Sequence, residues 1–169
     1  MGCDIHFFVE RFSDEPITKG PVDISEQREE RLSTLLEERD KIEPRWISAD
    51  DWELDDHYDD EIPSWECGEK FYSGRNYHLF GILAQVRTWD TSESISEPKG
   101  IPDDASYAYK VMCNQWDGDS HSHSYFTLEE LLEVDWVSKD LKWFEGTIEK
   151  MKSVDPDPKK VRCCFFFDN

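Results

Sequence analysis

Both ends of this 169-residue chain carry short, strongly apolar runs: Ile5-His-Phe-Phe-Val-Glu-Arg-Phe12 near the start and Val161-Arg-Cys-Cys-Phe-Phe-Phe167 near the finish. Aromatic and β-branched side chains at this density favour extended backbone. An exposed edge strand of such composition would pair with other chains, so both runs are expected as central strands. The two ends of the chain then lie side by side in one sheet.

Three helical segments are expected to pack on that sheet. After Ser73, a candidate N-cap, Tyr77, Phe80, Ile82, Leu83 and Val86 build an apolar face over residues 75–87. Thr127-Leu-Glu-Glu130 is a capping box ahead of Leu128, Leu131 and Leu132. Leu141, Phe144, Ile148 and Met151 suggest a third helix over 140–151, which Pro156 and Pro158 separate from the last strand. Tyr107–Trp116 is read as a further strand. The mixture implies an α+β fold: a single domain over 1–169, with a mainly antiparallel sheet, its terminal strands central, covered on one face by about three helices. Two segments lie outside this scheme. Residues 25–41 read as a peripheral charged helix. Residues 50–63, which open with eight acids among the twelve residues Asp50 to Glu61 and close at Pro63, read as an acidic surface loop pinned by Trp52.

Charge narrows the function classes. With 19 basic and 39 acidic residues the formal charge is −20, and such a field repels phosphate backbones, so general nucleic-acid binding is excluded. Seven Trp and ten Phe argue against a disordered acidic chain. No apolar run is long enough to span a membrane, and the N-terminal residues lack a signal-peptide layout, which points to the cytoplasm. Gly2 does not make a myristoylation site, because His6 stands where Ser or Thr is needed. The five cysteines are odd in number and form no Cys-x-x-Cys pair, so reduced, mostly buried thiols are expected.

Three clusters could carry chemistry. Asp4 and His6 are two residues apart and project from one face of a strand, offering an oxygen and a nitrogen ligand; the competing reading is a backbone cap and a hydrogen-bonded core histidine. Trp116-Asp-Gly-Asp-Ser-His-Ser-His-Ser124 is the densest polar stretch. As strand residues His121 and His123 would share a face, and the set Asp4, His6, Asp119 and His121 is a candidate site for a divalent metal, Mn²⁺, Mg²⁺, Fe²⁺ or Zn²⁺. His121 or His123 would then be the catalytic candidate in metal-assisted hydrolysis. The competing reading is a polar loop leading into the Thr127 cap, with Ser122 and its neighbours satisfied by backbone. Third, Arg75, Asn76 and Tyr77 stand at the start of the first helix, where free N–H groups and the helix dipole favour an anion, either a ligand phosphate or an internal carboxylate. Tyr77 with a tryptophan such as Trp116 could sandwich a base. The turn-rich Pro98-Lys-Gly-Ile-Pro-Asp-Asp104 would form the rim of a pocket. Glycine-rich phosphate loops, nucleophile elbows and zinc knuckles are absent from the sequence.

The ordered blocks Met1-Gly-Cys-Asp-Ile-His6, Gly74-Arg-Asn-Tyr77 with Leu79-Phe80, Pro98–Asp104, Asp117–Ser124 and Phe165-Phe-Phe-Asp-Asn169 resemble a family of small uncharacterised proteins of tailed bacteriophages and prophages. Residues 14–44 and the acidic run 50–61 look like additions to that scheme. The resemblance implies a protein working in the host cytosol, with its polar blocks forming one pocket from Asp4, His6, Arg75, Asn76, Tyr77, Asp119, His121 and His123, in which Arg75, Asn76, Tyr77, Trp116 and Ser122 are the ligand-binding candidates. Three functions follow as expectations. The first is a counter-defence protein that binds and sequesters a small anionic, nucleotide-derived signal. The second is a metal-dependent phosphodiesterase acting on such a nucleotide. The third is an acidic DNA mimic that occupies a host nucleic-acid-binding protein through its acidic surface. A homodimer is the base-rate expectation for a small protein enclosing a ligand.

Overall fold

A computed structural model describes residues 2–13, 45–55 and 64–169. The expected helix over 25–41, residues 56–63 of the acidic loop and the side chain of Trp52 lie outside the described residues.

Strand β1 (Ile5–Ser13) pairs antiparallel with β6 (Val161–Phe167) from Ile5 opposite Phe167 to Arg11 opposite Val161. β2 (Arg45–Ser48) flanks β1, and β5 (His121–Thr127) flanks β6, so the order is β2-β1-β6-β5 and the two terminal strands are central, as their composition requires. β3 (Trp52–Asp55) and β4 (Ser64–Cys67) form a separate two-stranded sheet. Residues 52–55 are therefore strand and not surface loop, a correction to the reading of the acidic run.

Every residue of β6 is buried, which only a strand covered on both faces can satisfy. On one face Phe7, Val9, Cys163, Phe165 and Phe167 pack with α1 (Tyr77–Ala84), α3 (Leu128–Leu132) and α4 (Glu145–Lys152). On the other, Phe8, Cys164 and Phe166 pack with α2 (Tyr107–Trp116) through Tyr109, Met112 and Cys113. Both the expected strand over Tyr107–Trp116 and the expected single covered face are thus corrected. The helix holds its apolar residues at i, i+3 and i+4, and Ser106 caps it by accepting from the Tyr109 N–H at 3.1 Å.

Helix α1 begins later than the apolar pattern suggests. Asn76, not Ser73, is the cap, its Oδ1 accepting from the Leu79 N–H at 2.9 Å. Its far end turns at Gln85 in the left-handed region (φ 58°). Gly81 lets the returning chain approach, since a Cβ there would lie 2.8 Å from Thr88 Cβ. The capping box at Thr127 and Glu130 forms as expected. Among the described residues no helix is long and apolar enough to cross a membrane.

One fully buried acid and one half-buried acid hold the sheet to its surroundings. Glu10 on β1 is fully buried and accepts from Arg162 Nε on β6 at 2.5 Å and from the Ser106 N–H at 2.7 Å. Arg162 also donates to Asp104 Oδ1 at 2.9 Å and lies 4.0 Å above the Trp46 ring of β2. Asp50, at the head of the acidic run, turns inward: its Oδ2 accepts from the Val9 N–H at 2.9 Å and from Ser48 Oγ at 3.2 Å. Burial raises its pKa from 3.8 to about 7.

Removing one partner of a buried ion pair strands the other charge, so Glu10→Ala should cost about 3 to 5 kcal/mol in urea unfolding. Glu10→Gln, which keeps an acceptor but not the charge, should cost less yet still destabilise, and a Glu10→Gln protein as stable as the wild type would show that charge is irrelevant there. An acid that ionises more readily in the unfolded chain than in the fold weakens the fold as pH rises through that interval. Asp50→Asn should therefore gain melting temperature relative to the wild type between pH 4 and about pH 7 and hold that difference above it. Parallel curves across the range would place Asp50 in solvent.

Candidate functional site

The pairing of β1 with β6 brings the two ends of the chain together, and the polar blocks gather where these strands finish. Asp168, one residue past β6, donates its N–H to the Asp4 carbonyl at 3.1 Å and accepts the Asp4 N–H on Oδ1 at 2.9 Å. Its Oδ2 accepts from His6 Nε2 at 3.0 Å. Asp4 in turn receives both Nε (2.7 Å) and Nη2 of Arg75, a two-point guanidinium contact. Arg75's hydrogen bonds hold the Asp4 carboxyl below its usual range. Of the two answers left open for Arg75, the internal carboxylate is the one found.

His6 also anchors an aromatic run. The Trp116 ring, at the end of α2, lies 4.3 Å from the imidazole. Phe166 stacks on it at 4.7 Å with 16° between planes, and His123 follows 5.3 Å from Phe166. Strand alternation places His6 and Phe166 on the α2 face of the sheet.

β5 departs from regular alternation. His121 pairs with Phe167 but Ser124 pairs with Phe165, so Ser122 and His123 together oppose Phe166, a β-bulge with Ser122 left-handed at φ 51°. The extra residue moves His121 to the face of Phe167, with its ring 6.1 Å from that phenyl group, while His123 stays with Phe166. The expectation that His121 and His123 share a face is therefore corrected. His121 Nδ1 lies 3.0 Å from Ser122 Oγ. The Nε2 atoms of both histidines are buried without a partner; among the described residues the only other such side-chain atom is the Tyr72 hydroxyl oxygen. Burial, reinforced by His121, lowers the pKa of His123 and keeps its ring neutral near pH 7.

The Pro98–Asp104 segment docks along this strand. Gly100 N–H donates to the His123 carbonyl at 2.8 Å and Lys99 N–H to Ser124 Oγ at 3.2 Å, with Gly100 at φ 84° where glycine is favoured. Lys99 is pinned by Glu130 at 2.9 Å and lies 4.2 Å from the Phe126 ring centre.

Asp4, His6, Arg75, Trp116, Ser122, His121 and His123 thus all belong to one end of the sheet. Asn76 is there too, but its side chain is committed to capping α1. Tyr77 reaches the region through Phe80, 5.7 Å away, which itself contacts Phe167 at 5.0 Å. Asp119 sits exposed in a short turn over Asp117–Asp119 and makes none of these contacts. The proposed metal set Asp4, His6, Asp119 and His121 does not assemble: Asp4 is taken by Arg75, His6 by Asp168, and among the described residues no three His, Cys, Asp or Glu side chains group as metal ligands.

Sequence reasoning missed Asp168 as a working side chain, and it missed Arg87, whose Nη2 donates to Asn169 Oδ1 at 3.0 Å and whose guanidinium meets the Cys3 thiol. The signal for Asp168 was its place directly after a central strand that pairs with the strand carrying His6. A cleft of about 300 Å³ lies elsewhere, lined by Asp51, Glu69, Lys70, Phe71 and Lys150, and none of the predicted site residues lines it. No protein-family model, curated protein or solved structure matches this chain.

Asp168→Ala should cost about 1 to 3 kcal/mol, because the Asp4 N–H and His6 lose their acceptor together. Amide exchange should speed up at Asp4 and Ile5 while Phe165 stays protected. Uniform acceleration over the whole sheet would mean that Asp168 supports the fold globally and not this end of it.

Proposed function

We propose that the strand-end site binds and withholds a small anionic ligand of the nucleotide type, as an accessory protein of a tailed phage would do against a host signal. The observation that carries this reading is the pair of buried, unpartnered imidazole nitrogens on His121 and His123, set at a strained bulge beside the aromatic run. A buried polar atom without a partner costs about 1 to 3 kcal/mol, and interiors tolerate few of them. Non-glycine residues held left-handed concentrate at working sites. A neutral imidazole N–H donates to a phosphate oxygen without needing a counter-charge, which suits a chain of net charge −20. The indole of Trp116 and the ring of Tyr77, which is 41% exposed, supply surfaces on which a base can stack.

One contact favours a second reading. Asp168 holds His6 by its Nε2, leaving Nδ1 as a candidate general base, the arrangement that hydrolysis of the bound ligand would use. Incubation with mono-, di- and cyclic nucleotides, filtration, denaturation and chromatography separates the two. Recovery of an intact nucleotide from the protein fraction is expected. His121→Ala and His123→Ala should each weaken retention roughly tenfold with melting temperature preserved. A new product peak would favour hydrolysis, and passage of every nucleotide unbound would end the small-ligand reading.

A further inference from the structure

We infer that the anionic group of the ligand is held by Arg87 and not by Arg75, an inference that rests on the strand-end binding site proposed above. Arg75 turns two donor positions of its guanidinium to Asp4, so its charge is already matched by a carboxylate. A phosphate arriving there would meet that carboxylate as well as the guanidinium. Arg87 differs in kind. Its contacts are the neutral amide oxygen of Asn169 and the thiol of Cys3, which burial keeps protonated, and among the described residues no carboxylate pairs with it. In a chain with 39 acidic and 19 basic residues, an arginine that no described carboxylate pairs with has donors open to an outside partner.

The fold brings Arg87 to this position deliberately. Gln85 and Arg87 are both left-handed, at φ 58° and 57°, a conformation that costs about 1 to 2 kcal/mol for an ordinary residue. The close approach of Thr88 to Gly81 folds the chain back after α1. The result sets the guanidinium against Asn169, the residue that follows Asp168, while Asp168 itself is turned to Asp4 and His6. Two residues further on, Trp89 has its whole side chain in solvent, although the loop carrying it is tied down by Thr88 Oγ1 to the Asp90 carbonyl at 2.8 Å and Ile95 N–H to the Ile82 carbonyl at 2.8 Å. A guanidinium without a carboxylate partner among the described residues, followed by an uncovered indole on a tied-down loop, matches a phosphate joined to an aromatic base.

The test follows the arginine Nε–H signals in ¹⁵N-labelled protein, assigned with Arg75→Lys and Arg87→Lys, during titration with inorganic phosphate, adenosine and adenosine monophosphate. Phosphate and the monophosphate should shift Arg87 and leave Arg75 in place, and adenosine should shift neither. Arg87→Gln should weaken monophosphate binding roughly tenfold or more, and Arg87→Lys should restore part of it. Melting curves within a few degrees of wild type would confirm that Arg87→Gln is folded. If Arg75 shifts instead, or Arg75→Gln alone loses the ligand, Arg87 is not the anchor although the site stands. Shifts at His121 and His123 with neither arginine responding would also overturn Arg87 and leave the site in place. Silence at both arginines and both histidines would overturn the inference together with the binding site.

Discussion

Arg162 lies inside the sheet with its charge answered on one side by Glu10 and covered on another by the Trp46 ring. Those three residues come from β6, β1 and β2, and Tyr125 of β5 stands 5.7 Å from the same guanidinium, so one buried cation touches all four strands. Glu10 uses its second oxygen on the N–H of Ser106, the cap of α2, and Asp104 completes the shell. An ion pair this deep gains little over well-packed apolar residues in net energy, but it penalises any register in which either charge lacks its partner. That penalty fits two strands so rich in phenylalanine, whose apolar faces alone would accept several registers.

With the register of β1 against β6 settled, the polar strand ends follow. Asp4 and His6 must lie opposite the residues at the end of β6, and Asp168 meets them both. The same alignment stacks His6 between Trp116 and Phe166 and sets β5 beside Phe166 and Phe167, where the bulge turns its two histidines to different faces. The site is thus a consequence of strand pairing across 164 residues of sequence, and Asp4, His6 and Arg75 are held by partners remote in the chain.

Much of this was legible beforehand. The terminal strands were readable because aromatic and β-branched residues at such density have few alternatives, and the helix at Thr127 because a capping box is a local device whose partners are three residues apart. Arg75, His121 and His123 stood out as polar residues in ordered blocks. The segment 107–116 misled because a short run with Tyr, Val, Met and Cys fits either period, and its helical form depends on the second sheet face needing cover. The hairpin of β3 and β4 hid beneath its acids, whose charge said solvent while the backbone found a partner.

The amino-acid sequence by itself determined the α+β class, the central place of the terminal strands and the acidic character of the surface, since these depend on composition and on contacts within a few residues. Only the tertiary structure decided which carboxylate meets which cation. Asp4 for Arg75, Asp168 for His6, Glu10 for Arg162 and, among the described residues, no acid for Arg87 are choices among many chemically equal partners. The bulge at Ser122 was likewise beyond sequence reading, because one extra residue in an edge strand is set by the register of the neighbouring strand and not by the local residues. Electrostatic and hydrogen-bond energies fall off over a few ångströms, so their assignment waits on a fold that brings distant residues within that range.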